Sequence, residues 1–504
     1  MAHDPHHATL DRLLTTVRGS YPETDTDNIV LAYDVSCAAH TGEKRVAGED
    51  FIAHPLRVAQ YLAELKLDIP TIAACILHDI LEDTPYTRET LEKNFGKEIS
   101  DLVTGVTVLG KLKYQGVERY IENLRKMFVA MTQDLRVIFI KFADRIDNLR
   151  TLHVWPREKQ LRIAQETIEI YAPIANRLGL GHIKGELEDL AFPYINPEAY
   201  TWTKNLFLSL SPRRERYLKA VQDILRTELK KHDIEPVDLH GRTKHLYSLY
   251  QKLLKYDRDV SRIHDLVTVR VVVRTVAECY AVLGIIHKMW KPLKGRIKDY
   301  IATPKPNGYQ SLHTTVFCEQ EETVEIQIRT QKMHEEAEFG VASHWRYKET
   351  ENTDDKEVQN SRAKKIDLEW MRELTRWHRR IHDNEAKLEK LKLDVFQNRI
   401  FVFTPKGEII DLPEDATPVD FAYHIHTDVG DHCVSAIIND QITSLDTRLK
   451  SGDIIQIKTD KKRKGPSPEW LKFVKTDTAR SKIKNKMRVN LGDWLKRMTP
   501  TKRP

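Results

Sequence analysis

Cysteine is scarce in this chain of 504 residues: Cys37, Cys75, Cys279, Cys318 and Cys433 are scattered, and no two form a Cys-x-x-Cys pair. That argues against a zinc ribbon and a disulfide framework, and it suits a reducing cytoplasm. No apolar run approaches the ~18 residues needed to span a bilayer. The start, Met1-Ala2-His3-Asp4-Pro5, lacks a cationic segment followed by an apolar core, so neither a membrane nor a secretory address is expected. No internal repeat is apparent.

What is present is the composition of a soluble globular protein, 40% apolar and 31% charged, long enough for about three domains. The net charge of +6 is unevenly placed: from Asp460 onward fifteen Lys or Arg face four Asp or Glu, a net +11 that leaves the rest of the chain acidic. Such a basic end suits phosphate-rich partners such as RNA, the alternative being a solvated basic helix.

The most informative stretch is Ala73-Ala74-Cys75-Ile76-Leu77-His78-Asp79-Ile80-Leu81-Glu82-Asp83. Its apolar residues suit a buried helix, on which the helical repeat would stack His78 over Glu82 and Asp79 over Asp83. An imidazole and three carboxylates are costly to bury uncompensated, and a divalent cation is the simplest compensation. Further candidate ligands are His54, which opens His54-Pro55-Leu56-Arg57-Val58-Ala59, and Asp144 in Phe142-Ala143-Asp144-Arg145-Ile146-Asp147-Asn148.

Residues 27 to about 195 read as helices almost throughout, including 29–39, 55–65, 99–109, 120–131 and 135–152, hence one all-helical domain. Helices over 161–178 and 213–231 continue into a bridge, the latter with Ser211-Pro212 as cap and first-turn proline. From Arg242 the pattern changes. Residues 266–273 form a β-branched run and 323–329 alternate strictly, so both are strands, with a helix over 276–290 and a loop over 291–309 between them. A polar linker, a helix over 366–391 and a small β domain follow, the last with a hairpin turning at Lys406-Gly407 and strands at 435–439 and 453–458.

A second chemical site lies in the α/β part. Lys244, Ser248 and Lys252 are four apart on one helix face with Arg242 at the helix start, a phosphate-binding arrangement of amides, cations and a hydroxyl. Asp265 stands just before one strand, and Glu325 shares a face of the other with Gln327 and Arg329. Two carboxylates beside a cationic face are what magnesium-assisted phosphoryl or pyrophosphoryl transfer needs. Tyr309 offers a face on which a purine could stack.

The order His54, His78-Asp79, Asp144 resembles the HD metal-dependent phosphohydrolases. Taken with Gly241-Arg242-x-Lys244, Ile263-His264-Asp265-Leu266, Arg296-x-Lys298-Asp299-Tyr300, Asn307-Gly308-Tyr309-Gln310-Ser311-Leu312-His313 and Glu325-Ile326-Gln327-Ile328-Arg329, the chain resembles the long RelA/SpoT homologues of the bacterial stringent response from about residue 28 to 490. The resemblance implies an all-helical HD hydrolase domain (1–195), a helical bridge (196–240), a mixed-sheet, nucleotidyltransferase-like synthetase domain (241–349), a linker and helix (350–392), a β-grasp TGS domain (393–460) and a basic helical tail (461–504). The fold class expected is therefore multidomain α and α/β.

It also implies an enzyme that moves the β,γ-pyrophosphate of ATP to the 3′-hydroxyl of GDP or GTP and removes it again. Asp265 and Glu325 would bind Mg2+, with Glu325 also the base; Arg242 and Arg270 would sandwich adenine, and Lys244 and Ser248 would meet ATP phosphates. Tyr309 would stack guanine, while Lys298, Lys305, Asn307 and His313 would serve the guanosine nucleotide. In the HD domain, His54, His78, Asp79 and Asp144 would hold Mn2+, Glu82 and Asp83 would act on the attacking water, and Arg45, Asn148 and Thr151 would line the nucleotide pocket. The departure from the family pattern is Val46-Ala47, where polar residues are usual. The Arg296-x-Lys298-Asp299 loop implies a working hydrolase, since dedicated synthetases carry an acidic version. In the TGS part, carried by 421–427, His426 or His432 would contact the acceptor end of deacylated tRNA on the ribosome. The family's zinc-finger and ACT-like domains have no counterpart, so the chain is either truncated or naturally short. The competing reading is a regulatory tRNA- or ribosome-binding relative with one active site.

Overall fold

The structure is a computed structural model that describes residues 9–22, 24–110, 127, 130–131, 133–242, 245–259, 268–305, 308–318, 323–339, 399–405, 409–450, 452–460, 462–463, 465–476 and 478–487. The chain divides into two units, residues 1–378 and 379–504.

The first unit begins with helices: α1 (Leu10–Ser20), α2 (Asp27–Ala39), α3 (Ala53–Glu64), α4 (Ile69–Ile76), α5 (Ile80–Asp83), α6 (Arg88–Gly110), α7 (Arg136–Arg150), α8 (Arg157–Glu166), α9 (Ala172–Arg177) and α10 (Gly181–Ile195). The helix expected over 120–131 lies almost wholly outside the described residues. Helix α4 is apolar on nearly all sides and is accordingly buried from Thr71 to Ile76. Asp68 caps it by accepting from the Thr71 amide at 3.1 Å, with Pro70 in the first turn. The helix expected over 161–178 is interrupted by a π-turn at Thr167–Tyr171.

Two expectations are corrected. The single helix through Ala73–Asp83 stops at Ile76, and Leu77–Asp79 form a turn whose bonds span three residues, His78 N to Cys75 O (3.3 Å) and Ile80 N to Leu77 O (3.0 Å). The helix expected to start at Ser211-Pro212 starts at Pro197 instead, capped by the Asn196 side chain, and α11 (Pro197–Lys231) continues through Pro212. An interior proline costs about 3 kcal/mol. Offsetting it, Val221, Leu225 and Leu229 of α11 are fully buried in the next domain's core.

That domain is a five-stranded mixed sheet in the order β1 (Asp238–Arg242), β2 (Thr268–Val273), β5 (Thr323–Thr330), β4 (Leu312–Phe317), β3 (Lys298–Asp299), with only the β2/β5 pair parallel. Helix α12 (Leu246–Lys255) follows β1, α13 (Val276–Met289) follows β2, and α14 (Gln331–Phe339) follows β5. Arg242 thus closes a strand rather than opening a helix. Alternation sends Val269, Val271, Val273, Val324, Ile326, Ile328, Leu312 and Val316 into a core shared with α11 and α13. The opposite face is polar. Register places His240, Arg270, Gln327, His313 and Lys298 in one row across all five strands, and Arg242, Thr268, Glu325 and Thr315 in the next.

The second unit contains the two strands of the expected hairpin, β6 (Arg399–Phe403) paired antiparallel with β7 (Ile409–Pro413), whose turn at Lys406-Gly407 lies outside the described residues, and a sheet β10 (Ile455–Thr459), β8 (Cys433–Ile438), β9 (Gln441–Thr443). A parallel bridge between Phe403 and Ile454 links the two. Helix α15 (Pro418–Ile425) lies between them in sequence, and Val419, Ala422 and Tyr423 share a core with Trp470, Val474, Ala479 and Ile483. Residues assigned to a basic tail therefore pack on the small domain over their described part. Asp420, fully buried, fastens them: its carboxylate accepts from Thr417 N and Oγ1, from Lys475 N, and from Thr476 N (2.7 Å) and Oγ1 (2.8 Å).

Candidate active sites

In the helical domain the turn after α4 aims His78 inward, where it is 1% exposed. His54 on α3 and Asp144 on α7 meet it: His54 Nε2 lies 3.4 Å from Asp144 Oδ1, and His78 Nε2 lies 4.0 Å from the same oxygen. One ligand atom from each falls within 4.8 Å of the others. Both imidazoles are fixed through Nδ1, His78 on Cys75 O (2.7 Å) and His54 on Asp147 Oδ2 (2.7 Å), so the Nε2 lone pairs face the shared point. His78 Nε2 is buried, with an oxygen of the Asp79 carboxylate 3.1 Å away. Two imidazole nitrogens and carboxylate oxygen are donors for a divalent metal, so the residues fit such an ion.

The charges are strongly interdependent. Burial alone would lower the His78 imidazole, but Asp79 and Asp144 lift it to about 9, so a divalent ion would bind by displacing the Nε2 proton. Burial would raise Asp79, but His78 holds it at about 2, and Lys141 and the two histidines hold Asp144 well below the usual carboxylate range. Lys141 Nζ donates to Asp144 Oδ2 at 2.8 Å and Asn148 Nδ2 to Oδ1 at 2.5 Å. Arg45 in turn donates to Asn148 Oδ1 (2.7 Å), and Thr151 caps α7 with its hydroxyl 3.3 Å from Asp147 O. Glu82 and Asp83 follow on α5, where partial burial and the Asp79 charge push the Asp83 carboxyl up. Sequence reasoning missed Lys141, Asp147, Arg57 and Glu49. Lys141 pairs with Asp144 three residues on in the same helix, a spacing the sequence does show, whereas Asp147, Arg57 and Glu49 are marked only by the charge pairs that packing brings together.

In the α/β domain Glu325 sits on the polar sheet face. His313 Nδ1 is 3.2 Å from its Oε1, and Thr268 Oγ1 (3.4 Å) and Gln327 Nε2 (3.3 Å) approach Oε2. Burial and the lysines keep the His313 pKa low despite Glu325, so a neutral ring donates Nδ1–H to the carboxylate and accepts the Tyr309 phenol at Nε2 (2.9 Å). Lys305 Nζ lies 4.7 Å from the Tyr300 ring centre and 5.2 Å from that of Tyr309, and burial lowers its pKa. Lys298 neighbours His313 across β3 and β4, on an edge strand rather than in the expected loop. Arg270 is 4% exposed and bound to Glu338 of α14 at 2.8 Å; the same carboxylate oxygen takes Arg329 at 3.0 Å. Ser248 lies half-buried on α12, with Lys252 one turn on. Asp265, Lys244, Asn307 and the Arg242 side chain lie outside the described residues. Asp299, quoted in a motif but given no role, folds its loop by accepting from Tyr280 Oη (2.9 Å), Ile301 N and Ala302 N.

In the small domain His426 and His432 bracket α16 (Thr427–Asp431), each bonded to Asp428. No helix among the described residues is long and apolar enough to cross a membrane.

Comparison with known proteins matches residues 32–181 to the HD domain, 241–352 to the region found in RelA / SpoT proteins and 400–459 to the TGS domain. Over 93% of its length the chain is 45% identical to a GTP pyrophosphokinase of Myxococcus xanthus, covering 61% of that protein. Over 94% it is 46% identical to a guanosine-3′,5′-bis(diphosphate) 3′-pyrophosphohydrolase of Aquifex aeolicus (66% covered) and 43% identical to the bifunctional (p)ppGpp synthase/hydrolase RelA of Mycobacterium tuberculosis (64% covered). The chain thus spans roughly three fifths of the length of these relatives. With the HD, RelA/SpoT and TGS regions following one another along a single sequence, it belongs to the RelA/SpoT family.

Proposed function

We propose that this chain both makes and degrades guanosine tetra- and pentaphosphate in the cytoplasm: the α/β domain transfers pyrophosphate from ATP to the 3′-hydroxyl of GDP or GTP, releasing AMP, and the helical domain hydrolyses the 3′-pyrophosphate. The observation that carries this is the presence, in one unit, of two different clusters: a buried His-His-Asp set whose ligand atoms lie within 4.8 Å of one another, and the Glu325 carboxylate approached by His313, Thr268 and Gln327 on the polar face of a sheet.

For synthesis, Glu325 is the acceptor for the 3′-hydroxyl proton. Its Oε1 and Oε2 are oriented by His313, Thr268 and Gln327, which fixes the carboxylate without protonating it. Mg2+, held by Asp265 and Glu325, would neutralise charge on the transferring phosphates. Lys298 and Lys305 would supply further positive charge to the guanosine nucleotide, with Tyr309 as the guanine platform; Arg242 and Arg270 would sandwich adenine, and Lys244 and Ser248 would meet the ATP phosphates. For hydrolysis, His54, His78, Asp79 and Asp144 would hold Mn2+, which would lower the pKa of a bound water. Glu82 and Asp83 would activate or orient the attacking water, and Arg45, Asn148 and Thr151 would line the nucleotide side. Water adds to the phosphorus, the bond to the 3′-oxygen breaks, and pyrophosphate and GDP or GTP leave. The small domain and the basic segment after it read deacylated tRNA on the ribosome, through His426 or His432 and phosphate contacts.

Incubating the protein with ATP and GDP in Mg2+, and separately with guanosine tetraphosphate in Mn2+, tests both halves by nucleotide separation. AMP should appear in the first and pyrophosphate in the second. A protein that makes guanosine tetraphosphate but cannot degrade it with Mn2+ present would refute the bifunctional reading.

A further inference from the structure

Asp147 is absent from the set of metal ligands and nucleotide-pocket residues, yet it is the most heavily bonded carboxylate beside the metal site. It follows Asp144 by three positions on α7, so one helical turn carries ligand and neighbour on one face. Its Oδ2 takes His54 Nδ1 at 2.7 Å, and Arg57 grips both oxygens, Nε to Oδ1 at 2.7 Å and Nη2 to Oδ2 at 3.1 Å. Arg57 lies three residues after His54 on α3 and is itself held by a two-pronged pair with Glu49, at 2.8 and 2.7 Å. Arg45 adds a contact to Oδ2 at 3.2 Å. Arg57 and the Asp147 carboxylate are nearly inaccessible, with 5% and 3% of the side chain exposed.

We propose that Asp147 is a positioning residue of the metal site: its carboxylate, clamped by Arg57, holds the His54 ring with Nδ1–H turned away and the Nε2 lone pair facing His78 and Asp144. A carboxylate behind a ligating imidazole both fixes its orientation and raises its basicity, and losing such a partner weakens metal affinity about 10- to 100-fold. His78 has only a backbone carbonyl in the same role. The stronger orienter therefore sits behind His54, and Arg57 prevents the carboxylate from turning toward the metal itself.

This rests on the metal reading of His54, His78 and Asp144, and the test separates the two. Mn2+ is titrated into the full chain without nucleotide, and free Mn2+ is followed by its electron paramagnetic resonance signal. Asp147→Asn should raise the dissociation constant about 10- to 100-fold. Arg57→Gln should raise it by a smaller factor. Synthesis of guanosine tetraphosphate, on the other domain, should be unchanged in both, and saturating Mn2+ should return Asp147→Asn hydrolysis toward the wild-type rate. His54→Ala is the control: if it binds Mn2+ like the wild type, the metal reading fails and the proposal with it. If His54→Ala loses Mn2+ while Asp147→Asn keeps wild-type affinity, the positioning role alone is overturned. Should Asp147→Asn also lose synthesis, Arg57→Gln decides, and wild-type affinity in that variant overturns the proposal.

Discussion

Gly185→Ala sets two opposing effects against each other at the contact between the helical domain and α12. Gly185 lies inside α10, where alanine is the better helix former by about 1 kcal/mol. A Cβ there, however, would meet Cδ2, Nε2 and Cγ of His245 inside the 3.0 Å that real Cβ atoms respect. The ring is not free to swing, because His245 Nδ1 is bonded to Asp189 Oδ2 at 2.9 Å while Asp189 Oδ1 accepts the Tyr247 amide at 2.9 Å, next to the start of α12. Expelling the ring forfeits a bond to a charged group, about 1.5–3 kcal/mol, and loosens a cap worth about 1 kcal/mol. After the propensity gain, the net loss is about 1–3 kcal/mol, a fall of several degrees in Tm at about 2–4 °C per kcal/mol for a large domain. Chemical and thermal unfolding of four proteins checks it: wild type, Gly185→Ala, His245→Ala and the double variant. With His245 removed, the same glycine substitution should become neutral or stabilising. Equal destabilisation in both backgrounds, or a stabilised single variant, would refute the argument.

Glu325→Gln should cut AMP production by about 100- to 10,000-fold, since an amide cannot take the hydroxyl proton; hydrolysis should persist, and undiminished AMP would remove Glu325 from the chemistry. Asp79→Asn should abolish Mn2+-dependent release of pyrophosphate from guanosine tetraphosphate while synthesis continues, and hydrolysis at the wild-type rate would contradict the ligand assignment. Asp420→Ala leaves the Lys475 and Thr476 amides without their acceptor, at about 1–3 kcal/mol each. Hydrogen exchange over residues 470–487 should therefore accelerate markedly, and unchanged protection would show that the apolar contacts of Trp470 and Val474 suffice. Deleting residues 461–504 should weaken binding of deacylated tRNA and flatten its salt dependence; the same affinity and slope would exclude that segment.

Much of the architecture was legible from local pattern. The strict alternation of Thr323–Arg329 puts Val324, Ile326 and Ile328 in the core and Glu325 on the polar face, because a strand's side chains must point alternately to opposite faces. Ligand chemistry was equally local: His54, His78 and Asp144 announce themselves by residue type, and the structure gathers them within 4.8 Å. Tertiary structure decided what depends on partners distant in the chain. The turn at Leu77–Asp79 replaces the continuous helix that periodicity favoured, and α11 runs through Pro212 because Val221, Leu225 and Leu229 are buried against the sheet. Strand order set Lys298 beside His313 and His313 beside Gln327, a row that no spacing in the sequence encodes. Asp147 is the sharpest case: it meets His54 across 93 positions and Arg57 across 90. Periodicity reports which face of its own element a residue occupies, whereas a buried charge acquires its role from whatever counter-charge packing brings against it.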